Sequence, residues 1–223
     1  MTQKPFRTFV FDLDGTLLNT LPDLVVLTND TLRDLGYPEH SEEEILSFVG
    51  NGVKALIVQA VPEGVPQEDV ERAYGLWCQK YESYSNGLTR PYDGIVALLE
   101  ELRARGCRIG VMSNKFEHGV HQILDLCLPG AVDVAHGETD AIPRKPDPTG
   151  ILLTIEELDS VPEETVYVGD SAGDVKGGKA AGTFTVAVSW GYSAVEALQS
   201  LDVAPDLIID SPGDLLALAP AAE

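Results

Sequence analysis

Positive charge is what this chain has least of. Its 223 residues include 15 Lys or Arg against 36 Asp or Glu, a formal net charge of −21. With no basic stripe to exchange for counterions, neither nucleic acid nor an anionic membrane is expected as a partner. Long hydrophobic runs are missing too. No apolar stretch approaches the thickness of a bilayer and the ends show no signal-peptide core with a cleavage site, so a soluble, cytoplasmic protein is expected. Cysteine is scarce: Cys78, Cys107 and Cys127 lie in apolar surroundings without the paired spacing of a zinc site. That excludes a disulfide framework and marks them as small, reduced core residues. There is no internal repeat and no low-complexity tract, and nothing in the chain speaks to oligomeric state.

What remains is the composition of a globular protein, 44% apolar and long enough for one large domain or for one domain carrying a smaller insertion. The acidity imposes a condition. If the substrate is an anion, the field of the whole protein opposes its approach. A site for it must then build local positive potential from a metal, a lysine and helix amino termini.

The most informative stretch reads Phe9-Val-Phe-Asp-Leu-Asp-Gly-Thr-Leu17. The run 6–11 is too short for a helix and rich in residues that fit a pleated surface, which predicts a buried strand. Asp12 and Asp14 follow at once. Carboxylates there are costly to bury unless something offsets them, and the simplest candidate is a divalent cation; hard oxygen ligands suit Mg²⁺. Gly15 permits a bend, and Thr16 can donate its hydroxyl and amide into the same loop. A solvated Asp-Gly turn is the plainer alternative.

Beyond this loop the pattern is helical. Apolar residues recur at helical spacing over 21–35, a capping box is spelled by Ser41 and Glu44, and further helices are expected over 53–61 and 67–84. No strand pattern occurs between Asn19 and Thr89. Some seventy helical residues are too many for a crossover, so 19–88 is expected to be an inserted helical domain, with 1–18 and 89–223 forming the core. From 90 onward strands alternate with helices: strands over 107–112, 131–135, 165–168, 184–188 and 207–209, helices over 94–105, 116–126, 149–158, 175–181 and 194–201, and a short closing helix over 215–219. This predicts an α/β fold, a Rossmann-like doubly wound parallel sheet, whose ligands bind beyond the carboxyl ends of the strands.

Four loops at that edge carry polar residues: Asp12 and Asp14 after the first strand, Ser113 and Asn114 after the second, Lys145 on a proline-held loop after the third, and Asp170 and Asp174 after the fourth. Each alone has an ordinary explanation as a turn, a surface lysine or a helix cap. Their coincidence on one edge does not. Trp190, after the next strand, is expected in the core rather than at the entrance.

The set Asp12-Leu-Asp-Gly-Thr16, Ser113-Asn114, Lys145-Pro146 and Gly169-Asp170-Ser171 to Asp174 resembles the four motifs of the haloacid dehalogenase superfamily of phosphatases, in order and over nearly the whole chain. Helices inserted directly after the first motif resemble its C1-cap class. The segments Leu18-Asn-Thr-Leu-Pro-Asp23, Phe48-Val-Gly-Asn-Gly52 and Val111-Met-Ser-Asn-Lys115 resemble the phosphoglycolate phosphatase branch.

The resemblance implies hydrolysis of a small anionic phosphate ester. Asp12 would attack phosphorus and become an aspartyl phosphate, while Asp14 would protonate the leaving alkoxide and later take a proton from water. Mg²⁺ would be bound by Asp12, the backbone carbonyl of Asp14 and Asp170, with Asp174 orienting from behind. Lys145 and Ser113 would hold the phosphoryl oxygens, and Thr16 and Asn114 would line the substrate. In the insertion, the amides at Gly50-Asn51-Gly52 and the side chain of Lys54 one turn on would read the carboxylate of 2-phosphoglycolate. A plain connecting turn is the alternative there. Also open are another phosphatase substrate (a sugar phosphate, pyrophosphate or a nucleotide), a hexose-phosphate mutase of the same superfamily, and a non-catalytic binding module.

Overall fold

The computed structural model describes residues 5–221 of the chain. They divide into two compact units, one that runs up to Asn19 and resumes at Pro91, and the other Thr20–Arg90. In chain order, strands β1 (Thr8–Phe11) and β2 (Leu18–Asn19) precede helices α1 (Leu21–Asp34), α2 (Glu42–Phe48), α3 (Gly52–Ala60) and α4 (Gln67–Glu82). Then come β3 (Arg90–Pro91), α5 (Ile95–Ala104), β4 (Arg108–Phe116), α6 (Glu117–Cys127), β5 (Val134–Glu138), α7 (Thr149–Glu157), β6 (Thr165–Gly169), α8 (Ala172–Ala181), β7 (Phe184–Val188), α9 (Val195–Gln199) and β8 (Leu207–Ile209).

In the first unit the sheet has the order β5-β4-β1-β6-β7-β8, and its pairings are parallel. Side chains alternate across it, as strand geometry requires. Phe9, Phe11, Ile109, Val111, Val166 and Val168 join Leu98, Leu99 and Leu102 of α5 and Val120 and Ile123 of α6 in one apolar layer. Val10, Met112 and Tyr167 face the other way, against Ile151 and Ile155 of α7. Both faces are therefore covered, and each fully buried Phe or Leu contributes roughly 1.5–3 kcal/mol. β1 is central, with Phe11 opposite both Val111 and Val168. The carboxyl ends of β4, β1 and β6 thus lie side by side, at the point where strand order reverses.

Several boundaries differ from the sequence reading, for local reasons. β4 does not stop at Met112 but runs to Phe116, because β5 continues to pair with it across a bulge: Met112 faces His136 and Phe116 faces Glu138. β5 begins at Val134 rather than 131, since Asp133 is tied by its own amide to the Ile109 carbonyl and by its carboxylate to the Ile109 N–H. α8 starts at Ala172, drawn back by the capping box of Ser171 and Asp174. The closing segment is a 3-10 turn over Pro212–Ala217. β2 and β3, two residues each, had no sequence signal. Of the cysteines Cys107 is buried, whereas Cys78 and Cys127 are half-buried.

The second unit is helical. Leu24, Leu27 and Leu32 of α1 and Val70, Ala73, Trp77 and Tyr81 of α4 are buried, and the rings of Trp77 and Tyr81 stack 5.2 Å apart. Trp77 donates its indole N–H to Thr28 Oγ1 at 3.3 Å. Ser41 and Glu44 form the expected capping box on α2.

One buried acid ties the start of this unit to its end. Asp23, in the first turn of α1 and 3% exposed, accepts from the amides of Leu88 (3.0 Å) and Thr89 (2.6 Å), the Thr89 hydroxyl (2.7 Å) and the Tyr84 hydroxyl (3.0 Å). Burial and this bond push the Tyr84 phenol up to about 12. Asp23→Ala would leave buried donors unpaired, at about 1–3 kcal/mol each. The variant should lose roughly 3 kcal/mol of stability in urea unfolding; a loss under about 0.5 kcal/mol would show that the clamp contributes nothing to holding the unit together.

Candidate active site

Asp12 is the first residue beyond the end of β1, and its amide donates to the Val168 carbonyl at 2.8 Å. Strand pairing therefore fixes its backbone before any side-chain contact is made. Lys145 reaches it from the loop after β5. Its Nζ lies 2.7 Å from Asp12 Oδ1 and 2.7 Å from Asp174 Oδ1, and it donates to the Met112 carbonyl at 3.0 Å. The contacts with Asp174 and with the Met112 carbonyl are hydrogen bonds, and the contact with Asp12 is an ion pair. The lysine is 4% exposed.

Asp174 is held from every side. Its Oδ2 accepts from the Ser171 amide at 3.0 Å and from the Ser171 hydroxyl at 2.5 Å, and its Oδ1 accepts from the Tyr167 hydroxyl at 2.9 Å. The reciprocal bond from its amide to Ser171 Oγ completes the capping box. The feature that starts α8 therefore also aims a carboxylate at Lys145.

Asp170 sits in a cradle. Its Oδ1 accepts from the Thr16 hydroxyl at 3.2 Å and its Oδ2 from the Tyr192 amide at 2.7 Å. A Cβ at Gly191, or at Gly15 with its φ of +85°, would overlap the Asp170 carboxyl. Glycine is required at both places for the loops to close on it. The loop after β7 is thus a fifth part of the site, which the sequence reading missed. Trp190 belongs to it: half-buried, it packs against the main core and donates its indole N–H to the Thr16 carbonyl at 3.1 Å.

The remaining expected residues fall in two groups. Ser113 Oγ accepts from the Lys115 amide at 3.2 Å, which leaves the hydroxyl proton to point elsewhere. Asn114, expected at the substrate, is instead bound to the Lys145 backbone, where its Oδ1 accepts from the amide at 2.8 Å and its Nδ2 donates to the carbonyl at 3.3 Å. It staples the lysine loop in place. Gly52 and Lys54 belong to the helical unit. Gly52 opens α3 behind Asn51 with a φ of +76°, and Lys54 is ion-paired with Glu71 at 2.9 Å and lies over the Tyr74 ring.

The carboxylates that converge are those of Asp12, Asp170 and Asp174, with one oxygen of each within 4.8 Å of the others. They are buried against a single ammonium. Burial, and then the facing Asp174 carboxylate, push Asp12 well above the ordinary range, although Lys145 pulls against them. The same two causes push Asp170 up to about 7, against the pull of the Tyr192 amide and the Thr16 hydroxyl. Burial opposes the charge of Asp174 too, but Lys145, Ser171 and Tyr167 hold it below the ordinary value. In return Asp12 and Asp174 outweigh burial and keep Lys145 charged.

Three acids and one base leave two negative charges without a partner, the deficit that a divalent cation fills. Asp174 meets two donors at each oxygen, Lys145 and Tyr167 at one and the Ser171 amide and hydroxyl at the other, whereas Asp170 meets one at each and Asp12 Oδ1 no hydrogen-bond donor among the described residues. Asp12 and Asp170 are therefore the side chains suited to hold such an ion, with the Asp14 carbonyl in the same loop.

The uncompensated charge gives a pH dependence. With Asp170 near 7 in the folded state and near 3.9 unfolded, the folded chain keeps a proton that the unfolded chain loses between those values. Stability of the metal-free protein therefore falls as pH rises from about 4 to 7. Asp170→Asn removes that contribution. In EDTA at pH 8 the variant should melt about 5 °C higher than the parent, the size of a gain of roughly 2 kcal/mol in a chain this long, and the difference should vanish near pH 4. Equal melting temperatures at both pH values would contradict the assignment.

Comparison with known proteins agrees with this geometry. The profile of the family described as haloacid dehalogenase-like hydrolase matches residues 9–188. A phosphoglycolate phosphatase of Aquifex aeolicus is 34% identical, over 95% of this chain and 96% of its own. An N-acetylmuramic acid 6-phosphate phosphatase of Pseudomonas aeruginosa is 31% identical, over 97% and 96%. A crystal structure from Lactobacillus delbrueckii subsp. bulgaricus superposes with a TM-score of 0.89 at 27% identity, covering 98% of this chain and 100% of that one. With these matches spanning the aspartate loop, the lysine and the acidic cluster, the chain belongs to the haloacid dehalogenase-like hydrolase family.

Proposed function

We propose that this protein is a Mg²⁺-dependent phosphatase that hydrolyses 2-phosphoglycolate to glycolate and phosphate through a phosphoryl group carried on Asp12. The observation that carries the reading is the pairing of a buried Asp12 with Lys145 at the carboxyl end of the central strand, with Asp14 two residues on. The substrate follows from the relatives, since most of those compared are phosphoglycolate phosphatases at 31–34% identity over nearly the whole chain.

In this reading an oxygen of Asp12 forms a bond to phosphorus while the bond from phosphorus to the ester oxygen breaks. Asp14 hands its proton to the departing alkoxide. Water then attacks the aspartyl phosphate, Asp14 takes the proton back, and inorganic phosphate leaves with the Asp12 carboxylate restored. Lys145 stays beside Asp12 throughout and neutralises charge as it shifts between the oxygens. The Ser113 hydroxyl donates to a phosphoryl oxygen. Asn114 acts on the phosphoryl group only through Lys145. Asp12, Asp170 and the Asp14 carbonyl would hold Mg²⁺, which would supply electrostatic neutralisation of the phosphoryl oxygens. The helical unit contributes discrimination among alcohols, and the enzyme acts in the cytoplasm.

The test is phosphate release from a panel of 2-phosphoglycolate, N-acetylmuramic acid 6-phosphate, hexose phosphates, pyrophosphate and nucleoside monophosphates, with Mg²⁺ and with EDTA. The highest kcat/KM should fall to 2-phosphoglycolate, EDTA should abolish turnover, and Asp12→Asn should lower kcat roughly 10⁴-fold or more. Parental turnover by Asp12→Asn would overturn the mechanism. A clear preference for another ester would overturn the substrate alone.

A further inference from the structure

Among the described residues, two cationic side chains are buried: Lys145, accounted for above, and Lys115, 5% exposed. Lys115 was not expected in the site from sequence, where it stood only as the last letter of a motif. A buried ammonium is costly unless anions face it. One anion beside it is Asp14, whose Oδ1 lies 3.6 Å from Nζ. That is an ion pair but too long for a hydrogen bond, and Asp14 Oδ1 is a buried oxygen with no hydrogen-bond partner among the described residues. Charge alone links the two groups.

The backbone explains how a lysine comes to be there. Between Met112 and Phe116 the register of β4 against β5 shifts, so that Ser113, Asn114 and Lys115 lie opposite Gly137 alone. Such a bulge re-aims side chains at the rim of a sheet. A Cβ at Gly137 would collide with the Lys115 carbonyl and with the backbone of Glu117, so the bulge can close only against glycine. The Lys115 amide is fixed on Ser113 Oγ at 3.2 Å. Three consecutive residues therefore supply a hydroxyl beside the phosphoryl position, an amide that staples Lys145, and a second cation beside Asp14.

The position of that second cation gives it a meaning. Lys145 stands by Asp12, on the phosphorus side. Lys115 stands by Asp14, the residue assigned to the ester oxygen and hence to the alcohol side. In a protein of net charge −21, a cation buried on that side favours alcohols that carry an anion close to the ester oxygen. Lys54, the residue expected from sequence to take this role, is paired with Glu71. Resting on the phosphatase reading above, we infer that Lys115 is a specificity-determining residue, contacting a carboxylate borne by the alcohol portion of the substrate next to its ester oxygen.

The experiment compares two esters of similar size and leaving group, 2-phosphoglycolate and ethyl phosphate, in the Mg²⁺-loaded full-length protein and in its Lys115→Met and Lys115→Arg variants. The quantity read is the ratio of kcat/KM for the two esters within each protein, so a partial loss of folded enzyme cancels. The parent should prefer 2-phosphoglycolate. Lys115→Met should shrink that preference at least about tenfold, chiefly through KM, and Lys115→Arg should recover part of it. If Lys115→Met keeps the parental ratio, or is inactive on both esters, Lys115 acts through Asp14 or through folding and the inference is overturned while the phosphatase reading stands. A parent without any preference overturns it in the same way. If the parent hydrolyses neither these esters nor p-nitrophenyl phosphate, the phosphatase reading itself fails and the inference falls with it.

Discussion

The structure depends on one buried ammonium. Lys145 stands between Asp12 and Asp174 at 2.7 Å from each and donates to the Met112 carbonyl. Its neighbours are fixed by the fold rather than by the site. Asp12 is set by the hydrogen bond of its amide to β6, Asp174 by the capping box of α8 and by Tyr167, and the lysine backbone by the amide of Asn114. Without the lysine, carboxylates would face one another out of water, an arrangement that costs several kcal/mol. The contact that positions Asp12 thus also allows three strands and a helix to meet where they do.

This local arrangement answers the difficulty raised by the composition. A net charge of −21 repels an anionic substrate at long range, but exposed charges more than about 8–10 Å away are largely screened at physiological salt. The two buried lysines lie within the sheet edge, where screening is weak and a single charge counts for more. With a divalent cation added, the cluster of Asp12, Asp170 and Asp174 around Lys145 is formally neutral although the protein as a whole is strongly acidic.

How much of this was legible in the chain depends on the range over which each feature is determined. Asp12 and Asp14 were readable because two acids directly after an apolar strand are anomalous within a window of nine residues. The parallel, doubly wound sheet followed from alternation, and the Ser41 and Glu44 cap from spacing. The features missed are those made by residues far apart in sequence. The Asn114 amide bonds the backbone of residue 145, which only the fold brings near. Asp170 is gripped by a main-chain N–H of Tyr192, which leaves no side-chain signature, and Gly191 is needed there for a clash visible only in three dimensions. The bulge that turns Lys115 inward depends on the pairing of β4 with β5, and apolar periodicity does not report pairing. Lys54 looked available because its partner Glu71 lies on another helix. Tyr167 read as an ordinary strand residue, and its buried hydroxyl acquires a role only through Asp174.

The central claim is that Asp12, Asp170 and Asp174 around one lysine form a site two charges short of neutrality. Calorimetric titration of the metal-free protein with Mg²⁺ at pH 7, in two buffers of different ionisation enthalpy, tests it most directly. The account predicts one ion bound per chain with release of protons, since the raised carboxyls must ionise to receive it. Absence of binding, or binding that displaces no proton, would contradict it.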